Sequence, residues 1–444
     1  MKKQKYRIIL ASASTDLRNR CEKAATELYG DPVPTPVADR MNTELTAIIE
    51  NGYSSHYLIA ADLVNYSKDQ GYPVTNRGML ASSFVAFLCG ITEVNALPGH
   101  YRCSHCHHLE FINQKNGSYR RFGYDFPDKI CPKCGAVMKA DGADILPEVN
   151  MGLQMDREPD IILNFAPAVH QEIIDYIKTR FKKEQLFRAG VSVERTDGTT
   201  LKGVHPGGIF IVPGEVDISG ITSLRSPEAD ENDEFNLPIS EKSYHEIDDV
   251  FKKYDILKQP QMELLYKLEQ ATGFRYSDIR MNDKTILQAF EDQDSYFMKQ
   301  IASKLERNVI QMVRPKGLAD LARIKGLVNG SGTWYGNAEK LLYEDNVSLN
   351  NIVASRDDIF QYLMFKGLSK ELSYNAMQWV RKGKELPLDL VIPIIEAGIP
   401  AWFIDSCEKI QYLYPWSQCV EYAMVTWKLG FYWVHYRDIY KGVV

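Results

Sequence analysis

Two C-x-x-C pairs, Cys103-Ser-His-Cys106 and Cys131-Pro-Lys-Cys134, stand at a separation that lets four thiolates converge on one cation. Four soft sulfurs suit tetrahedral Zn²⁺, and Gly135 follows the second pair where such a knuckle bends. A shell of four thiolates leaves no open position for water or substrate. The zinc is therefore expected to be structural, holding a small lobe together without taking part in chemistry. His105, His107 and His108 lie beside the first pair as alternative ligands, and the competing reading is a set of free thiols. Cys21, Cys89, Cys407 and Cys419 are scattered without a disulfide framework, which fits a reducing compartment.

Carboxylates supply the second chemistry. Asp160 heads the apolar run Pro159-Asp160-Ile161-Ile162-Leu163-Asn164-Phe165, which reads as a strand. Strand side chains alternate, so positions 160 and 162 share a face. An Asp-x-Asp there would hold two Mg²⁺ ions, one to activate an attacking hydroxyl and one to neutralise a departing pyrophosphate. Position 162 is isoleucine, which offers no lone pair. Asp255, in Tyr254-Asp255-Ile256-Leu257, is the other acid in a strand-like apolar setting. Two acids hold one ion weakly, so Mg²⁺ is doubtful here; Glu158, Asp248 and Asp249 are the nearest substitutes for the missing acid. In the bland alternative Asp160 is a turn or N-cap acid and Asp255 a surface residue.

The elements that must position these groups follow from periodicity. Residues 14 to 70 read as two or three helices, broken at Gly30-Asp31-Pro32. Asn76-Arg77-Gly78-Met79-Leu80-Ala81-Ser82-Ser83 is a turn opening a short helix. A helix over 168 to 183 follows the Asp160 strand, and Ile209 to Val212 is a further strand after His205-Pro206-Gly207-Gly208. From Gln261 onward the spacing is helical, with loops at Gly326 to Gly336 and Lys382 to Lys384. The fold class is thus α+β with an all-α extension.

With 444 residues the chain is too long for one core, and two or three lobes are expected. The apolar fraction of 45% is that of a globular chain, and the net charge of −6 argues against a histone-like polyanion binder. Charge is nonetheless segregated: Lys304 to Lys325 is basic and Glu228 to Asp249 acidic. The apolar run at Ile8 to Ala11 is too short for a signal peptide, and Glu421 and Lys428 interrupt the apolar C-terminal stretch, so a cytoplasmic chain with no membrane span is expected.

Longer phrases carry a family resemblance. Gly90-Ile-Thr-Glu-Val-Asn-Ala-Leu-Pro-Gly-His-Tyr101, Phe126-Pro-Asp-Lys-Ile-Cys131, Pro159-Asp160-Ile161, His205-Pro-Gly-Gly208, Tyr254-Asp255-Ile-Leu257, Thr333-Trp-Tyr-Gly-Asn337, Ser355-Arg-Asp-Asp358, Arg381-Lys-Gly-Lys384 and Ile404-Asp-Ser-Cys407 occur in order. From about Thr15 to Tyr440 the chain resembles the polymerase core of the bacterial DNA polymerase III alpha subunit of the PolC type. The resemblance implies a polymerase-beta-like nucleotidyltransferase palm, a zinc ribbon inserted near the thumb, and large all-α fingers. It divides the chain into a helical part of the palm at 1–98, the ribbon at 99–145, palm strands with the remaining acids at 146–260, and fingers at 261–444.

It also implies site residues. Asp160 and Asp255 match two of three metal-binding aspartates, and Ile162 stands where the family has the third. The phosphate-cradling turn of the family, Ser-Arg-Gly-Ser-x-Gly-Ser-Ser, is here edited to Met79 and Ala81, leaving Arg77, Gly78, Ser82 and Ser83, with His205, Gly207 and Gly208, as a nucleotide-binding remnant. The link from Gly190 to His205 is much shorter than in the family, keeping Arg195 and Lys202, and Pro415-Trp416-Ser417-Gln418-Cys419 replaces a phrase bearing a lysine and a histidine. Arg314, Lys316, Arg323 and Lys325, with backbone N–H groups of a Gly326 to Gly332 loop, are the expected contacts to DNA phosphates, followed by Arg381, Lys382 and Lys384. No exonuclease, phosphoesterase-like or oligonucleotide-binding module is read within these residues, so proofreading and clamp binding are not carried over. The reading is a pseudo-polymerase that acts by binding DNA or a replisome protein. Two alternatives stand beside it: a weakly active polymerase with a rearranged metal site, and a decoy or regulator of a host polymerase, suggested by Trp402, Tyr412, Tyr414, Trp416, Tyr422, Trp427, Phe431, Tyr432 and Trp433.

Overall fold

The computed structural model describes residues 5–78, 80–112, 120–194, 199–227 and 234–444. Met79, Arg195 and the head of the acidic stretch at Glu228 lie outside the described residues.

Three helices open the chain: α1 (Ala13–Tyr29), α2 (Thr35–Glu50) and α3 (Ser54–Asp69). Leu17, Cys21, Ala25 and Tyr29 recur every four residues and are all buried, so one face of α1 is core. The helix stops where Gly30 adopts φ +94°. Helix α3 is buried around most of its circumference, because it lies beneath the sheet.

Among the described residues eleven strands form two sheets. They are β1 (Thr75–Asn76), β2 (His100–Arg102), β3 (Leu109–Phe111), β4 (Lys129–Ile130), β5 (Val137–Asp141), β6 (Ile161–Phe165), β7 (Leu186–Glu194), β8 (Thr200–Ile211), β9 (Leu224–Arg225), β10 (Ile239–Ser243) and β11 (Lys253–Lys258). The larger, seven-stranded sheet runs β1-β6-β11-β8-β7-β10-β9; the smaller runs β3-β2-β5-β4 and carries the four cysteines. Strands β6 and β11 are interior, parallel neighbours, and their apolar residues (Ile161, Leu163, Phe165, Tyr254, Ile256) are buried, as a sheet covered by helices requires. The helix Pro167–Arg180 packs beside α3. It ends short of the expected 183, because buried Phe181 takes an extended conformation and turns inward.

The second half is helical. Its longest helix, Trp416–His435, is buried on nearly every side and packs along the helix Leu318–Asn329. Two expectations change here. Gly326 is not in a loop: the helix runs through it, and the glycine lets the Ala354 carbonyl approach to 2.2 Å from where a Cβ would sit. The aromatic residues near the C-terminus are mainly core, with Trp416, Trp427, Tyr432 and Trp433 fully buried and Tyr412 the most exposed of the set. They bury apolar area against the palm and fingers and so form no surface stripe. Among the described residues no helix is long and apolar enough to cross a membrane.

Candidate functional site: a palm cleft and a cysteine cluster

Parallel pairing of β6 with β11 sets the cleft. Asp255 lies in register beside Ile162, so the isoleucine occupies the strand position adjoining a surviving acid. Antiparallel β1 flanks β6 on its other side, and the Arg77 N–H donates to the Ile162 carbonyl at 3.1 Å. Gly78 follows with φ +69°, and a Cβ built on it would lie 3.8 Å from the Asp160 Cβ. The turn thus reaches the head of the acid-bearing strand by a backbone conformation that favours glycine.

Both remaining acids already hold protein cations. Asp160 accepts from Arg157 Nη2 at 3.1 Å and lies 3.7 Å from Lys252 Nζ. Both oxygens of Asp255 accept from Lys253 Nζ at 2.7 Å, and His205 Nδ1 is 3.6 Å away. Burial lowers the pKa of Lys252 and of His205 below their ordinary values, against the pull of Asp160 and Asp255 respectively. Of the substitutes considered from sequence, Glu158 is bound to Lys5, Arg7 and His56 at 2.5, 3.0 and 3.5 Å. Burial would raise its pKa, but His56, Lys5 and the charge of Lys252 hold it well below the carboxylate range. Exposed Asp248 lines the same cavity of about 450 Å³ as Asp160 and Asp255. Among the described residues, only the four cysteines bring three or more His, Cys, Asp or Glu ligand atoms together. Mg²⁺ demands near-octahedral oxygen ligation, and a two-metal arrangement needs shared carboxylates. An apolar side chain beside two acids clasped by ammonium and guanidinium groups does not fit that requirement.

A neighbouring cavity of about 350 Å³ is strongly basic. Arg77, Arg157, Arg356, Arg381 and Lys382 line it against the single carboxylate of Asp160. Arg356 opens the helix Arg356–Phe365, whose N-cap Ser355 forms a capping box with Asp358, while Arg381 caps the C-terminal end of the helix Lys370–Val380. Three guanidinium nitrogens, Arg77 Nε, Arg356 Nε and Arg381 Nη1, are buried without a hydrogen-bond partner. Burial, with Arg381 nearby, lowers the pKa of Arg356 to about 10; burial, then Arg157, lowers that of Arg381. Unmatched buried donors of one sign are costly unless an anion meets them.

Several residues expected to face a ligand point elsewhere. Ser82 and Ser83 are buried: Ser82 bonds to Ser417 at 2.6 Å and to Asn150 at 2.7 Å, while Ser83 donates to Glu44 at 2.7 Å and caps the helix Phe84–Leu88. Their hydroxyls hold the turn in place and cannot cradle a phosphate. Gly207 and Gly208 are buried in β8, Gly208 in register with Asp255. Arg323 and Lys325 are also turned inward, which removes them from the expected DNA contacts. Arg323 donates to the Ile352 carbonyl at 3.2 Å and lies 3.4 Å from Asp358; Lys325 is paired with Glu306. Arg314, Lys316, Lys382 and Lys384 are exposed. Arg157 and Arg356 were not singled out from sequence, although Arg356 sits inside one of the phrases that carry the resemblance.

The cysteines form the second site. Knuckle bonds repeat in both pairs: His107 N–H to Cys103 O at 3.0 Å and Gly135 N–H to Cys131 O at 3.0 Å. Cys103 and Cys134 sulfurs are 3.4 Å apart, Cys106 and Cys131 sulfurs 3.5 Å, and all four lie within 4.8 Å of one another. Zinc–sulfur bonds of about 2.3 Å place tetrahedral sulfurs roughly 3.8 Å apart, so the cluster fits one zinc. The backbone N–H groups of Cys106 and His105 lower the Cys103 thiol to about 6, favouring the thiolate a metal needs. His108 is engaged by Glu110 at 3.1 Å, outside the ligand set.

A mixed sheet with acids on adjacent central strands, a four-cysteine insertion and a helical half define a nucleotidyltransferase palm with fingers. Family comparison gives the same class. Residues 15–201 match the bacterial DNA polymerase III alpha NTPase domain, and residues 256–391 match the bacterial DNA polymerase III alpha subunit finger domain. The chain belongs to the bacterial DNA polymerase III alpha subunit family. It is similar to DNA polymerase III PolC-type of Caldanaerobacter subterraneus subsp. tengcongensis, 34% identical over 97% of this chain and 34% of the relative. The corresponding proteins of Oceanobacillus iheyensis (33% identical) and Clostridium perfringens (34%) match 97% of this chain and 33% of their own length. The chain thus spans about one third of the length of the curated relatives it matches.

Proposed function

We propose that this chain is a polymerase core that binds nucleic acid without extending it. The observation that carries the reading is Ile162 beside Asp255, with both neighbouring acids already paired to Arg157, Lys252 and Lys253. A two-metal reaction draws its rate from carboxylates that fix both ions, and each 1.36 kcal/mol of lost transition-state stabilisation is tenfold in rate. With one ligand absent and two occupied, turnover falls below detection. The weakly active alternative needs a third acid. Glu158 is consumed by its own partners, and Asp248 would have to draw a metal past Lys253.

What remains is a basic cleft. Arg77 lines the 350 Å³ cavity and also one of about 490 Å³ that includes Arg188 and Lys258, so cationic side chains extend along the palm. Phosphate contacts of this kind hold a strand irrespective of sequence and weaken steeply with salt. In this reading the cysteine cluster carries a structural zinc that shapes the ribbon beside the cleft. The decoy alternative loses its motive, since the aromatic residues that suggested it serve the core.

A primer-extension assay with Mg²⁺ or Mn²⁺, run beside fluorescence anisotropy on the same primer-template, tests the reading. The expected result is salt-dependent binding with no added nucleotide. Robust incorporation overturns it.

A further inference from the structure

In a working two-metal site the acids recruit divalent cations, and those cations bring the phosphates in. Here the order of charges is reversed. The acids are neutralised by side chains of the chain itself: Arg157 and Lys252 at Asp160, Lys253 at Asp255. Next to them stands an excess of positive charge, five basic side chains against the one carboxylate of Asp160. Arg77 Nε, Arg356 Nε and Arg381 Nη1 are buried and unpartnered, Arg356 is only 9% exposed, and all three line one cavity of about 350 Å³ with Lys382 at its edge. Guanidinium forks match the paired oxygens of phosphoryl groups and need no bridging metal to do so.

We propose that this cavity binds a short free oligophosphate in its metal-free form, and that Mg²⁺ opposes this binding instead of supporting it. The inference rests on the cleft being a phosphate site and states how that site is charged. The ligand's oxygens supply acceptors for the guanidinium and ammonium groups that line the cavity. Chelation by Mg²⁺ removes part of the ligand's negative charge and occupies the very oxygens the guanidinium groups would take. Neither acid flanking the cavity strand repays that loss by holding the ion, because Ile162 has replaced their neighbour and Arg157, Lys252 and Lys253 already pair with Asp160 and Asp255. Tyr412 and Tyr414 close the wall of the same cavity, leaving room for a compact ligand.

The test is isothermal titration calorimetry of the full chain with inorganic tripolyphosphate at matched ionic strength, once in EDTA and once in excess Mg²⁺. Binding at least tenfold tighter in EDTA, and at least tenfold weaker in Arg381→Gln, supports the proposal. Lys382→Gln, an exposed position that does not endanger folding, should weaken it by a few-fold. Equal or tighter binding in Mg²⁺ overturns the inference while leaving the phosphate reading of the cleft intact. Absence of binding in both buffers overturns that reading itself. Equal competition by an oligonucleotide only when it bears a 5′-phosphate would overturn the assignment to a free ligand.

Discussion

The ribbon and the palm cleft pose one chemical problem, how to hold a cation between anionic side chains, and answer it in opposite ways. In the ribbon, two knuckles set four sulfurs within 4.8 Å of one another and direct backbone N–H groups at Cys103, a donor set of the kind that holds one soft cation. In the cleft, one ligand is aliphatic and each remaining acid is paired internally. Retention of residue type at a site therefore says less than whether the charges there are already balanced. A lysine 2.7 Å from both oxygens of an aspartate changes the site as much as the loss of the neighbouring acid does.

The contrast breaks most easily at the ribbon. The purified chain should carry one Zn²⁺, measured by atomic absorption, and Cys131→Ser or a strong chelator should abolish amide protection across the ribbon strands. Structural zinc contributes on the order of 10 kcal/mol to such lobes, so this is the largest effect expected. Zinc-free protein with an unchanged exchange pattern would undo the metal assignment. A smaller loss is expected at Arg323, whose buried pairing with Asp358 makes it a structural residue. Arg323→Ala should cost about 3–5 kcal/mol in chemical denaturation, because it leaves a buried carboxylate without one of its partners. Charge reversal at exposed Lys382 and Lys384 should instead leave stability within about 0.5 kcal/mol and reduce DNA affinity and its salt slope.

Ile162→Asp sharpens the comparison directly. It adds a carboxylate beside Asp255 but leaves the lysines in place, so it should lower the melting temperature without producing primer extension. The loss, roughly 1–3 kcal/mol, follows from placing like charges side by side in a partly buried strand. Pairing it with Lys252→Leu should let Mn²⁺ restore part of the melting temperature. Extension by Ile162→Asp alone would show that the internal cations are no obstacle.

The smallest effect concerns pH. Glu421, buried in the long helix, has its pKa raised to about 8 by burial, despite a bond from Asn76 at 3.3 Å. Its unfolded value is near 4.3, so between about pH 4.3 and 8 the folded state keeps a proton that the unfolded state has released. Stability from this group is then complete at low pH and falls as pH rises through that window. Glu421→Gln should leave the melting temperature nearly unchanged at pH 4.5 and raise it at pH 8.

Sequence carried the fold well because its signals are local. The C-x-x-C spacing, the apolar run at 161–165 and the four-residue recurrence in α1 each reflect one element. The strand partnership of Asp255 with Ile162 is not local; the family phrases implied only that Asp160, Asp255 and position 162 belong to one site. What sequence did not show was the destination of each charge. Arg323 and Lys325 look the same in a basic stretch as Arg314 and Lys316, but two pair with Asp358 and Glu306 while two stay exposed, a difference set by residues more than 15 positions away or by helix phase. Gly326 likewise read as a loop because its close contact is with Ala354, from another element.

Trp416 touches three parts of the chain at once. Arg120, between β3 and β4, lies 4.1 Å over its ring; Arg323 of the fingers lies 5.7 Å away; and its indole N–H donates to the Ala143 carbonyl, just past β5. An indole that two guanidinium groups approach is a built-in optical gauge of lobe docking. The Trp416→Phe difference spectrum isolates its emission, which should move to longer wavelength when the ribbon lets go and water reaches the ring, long before the rest of the protein melts.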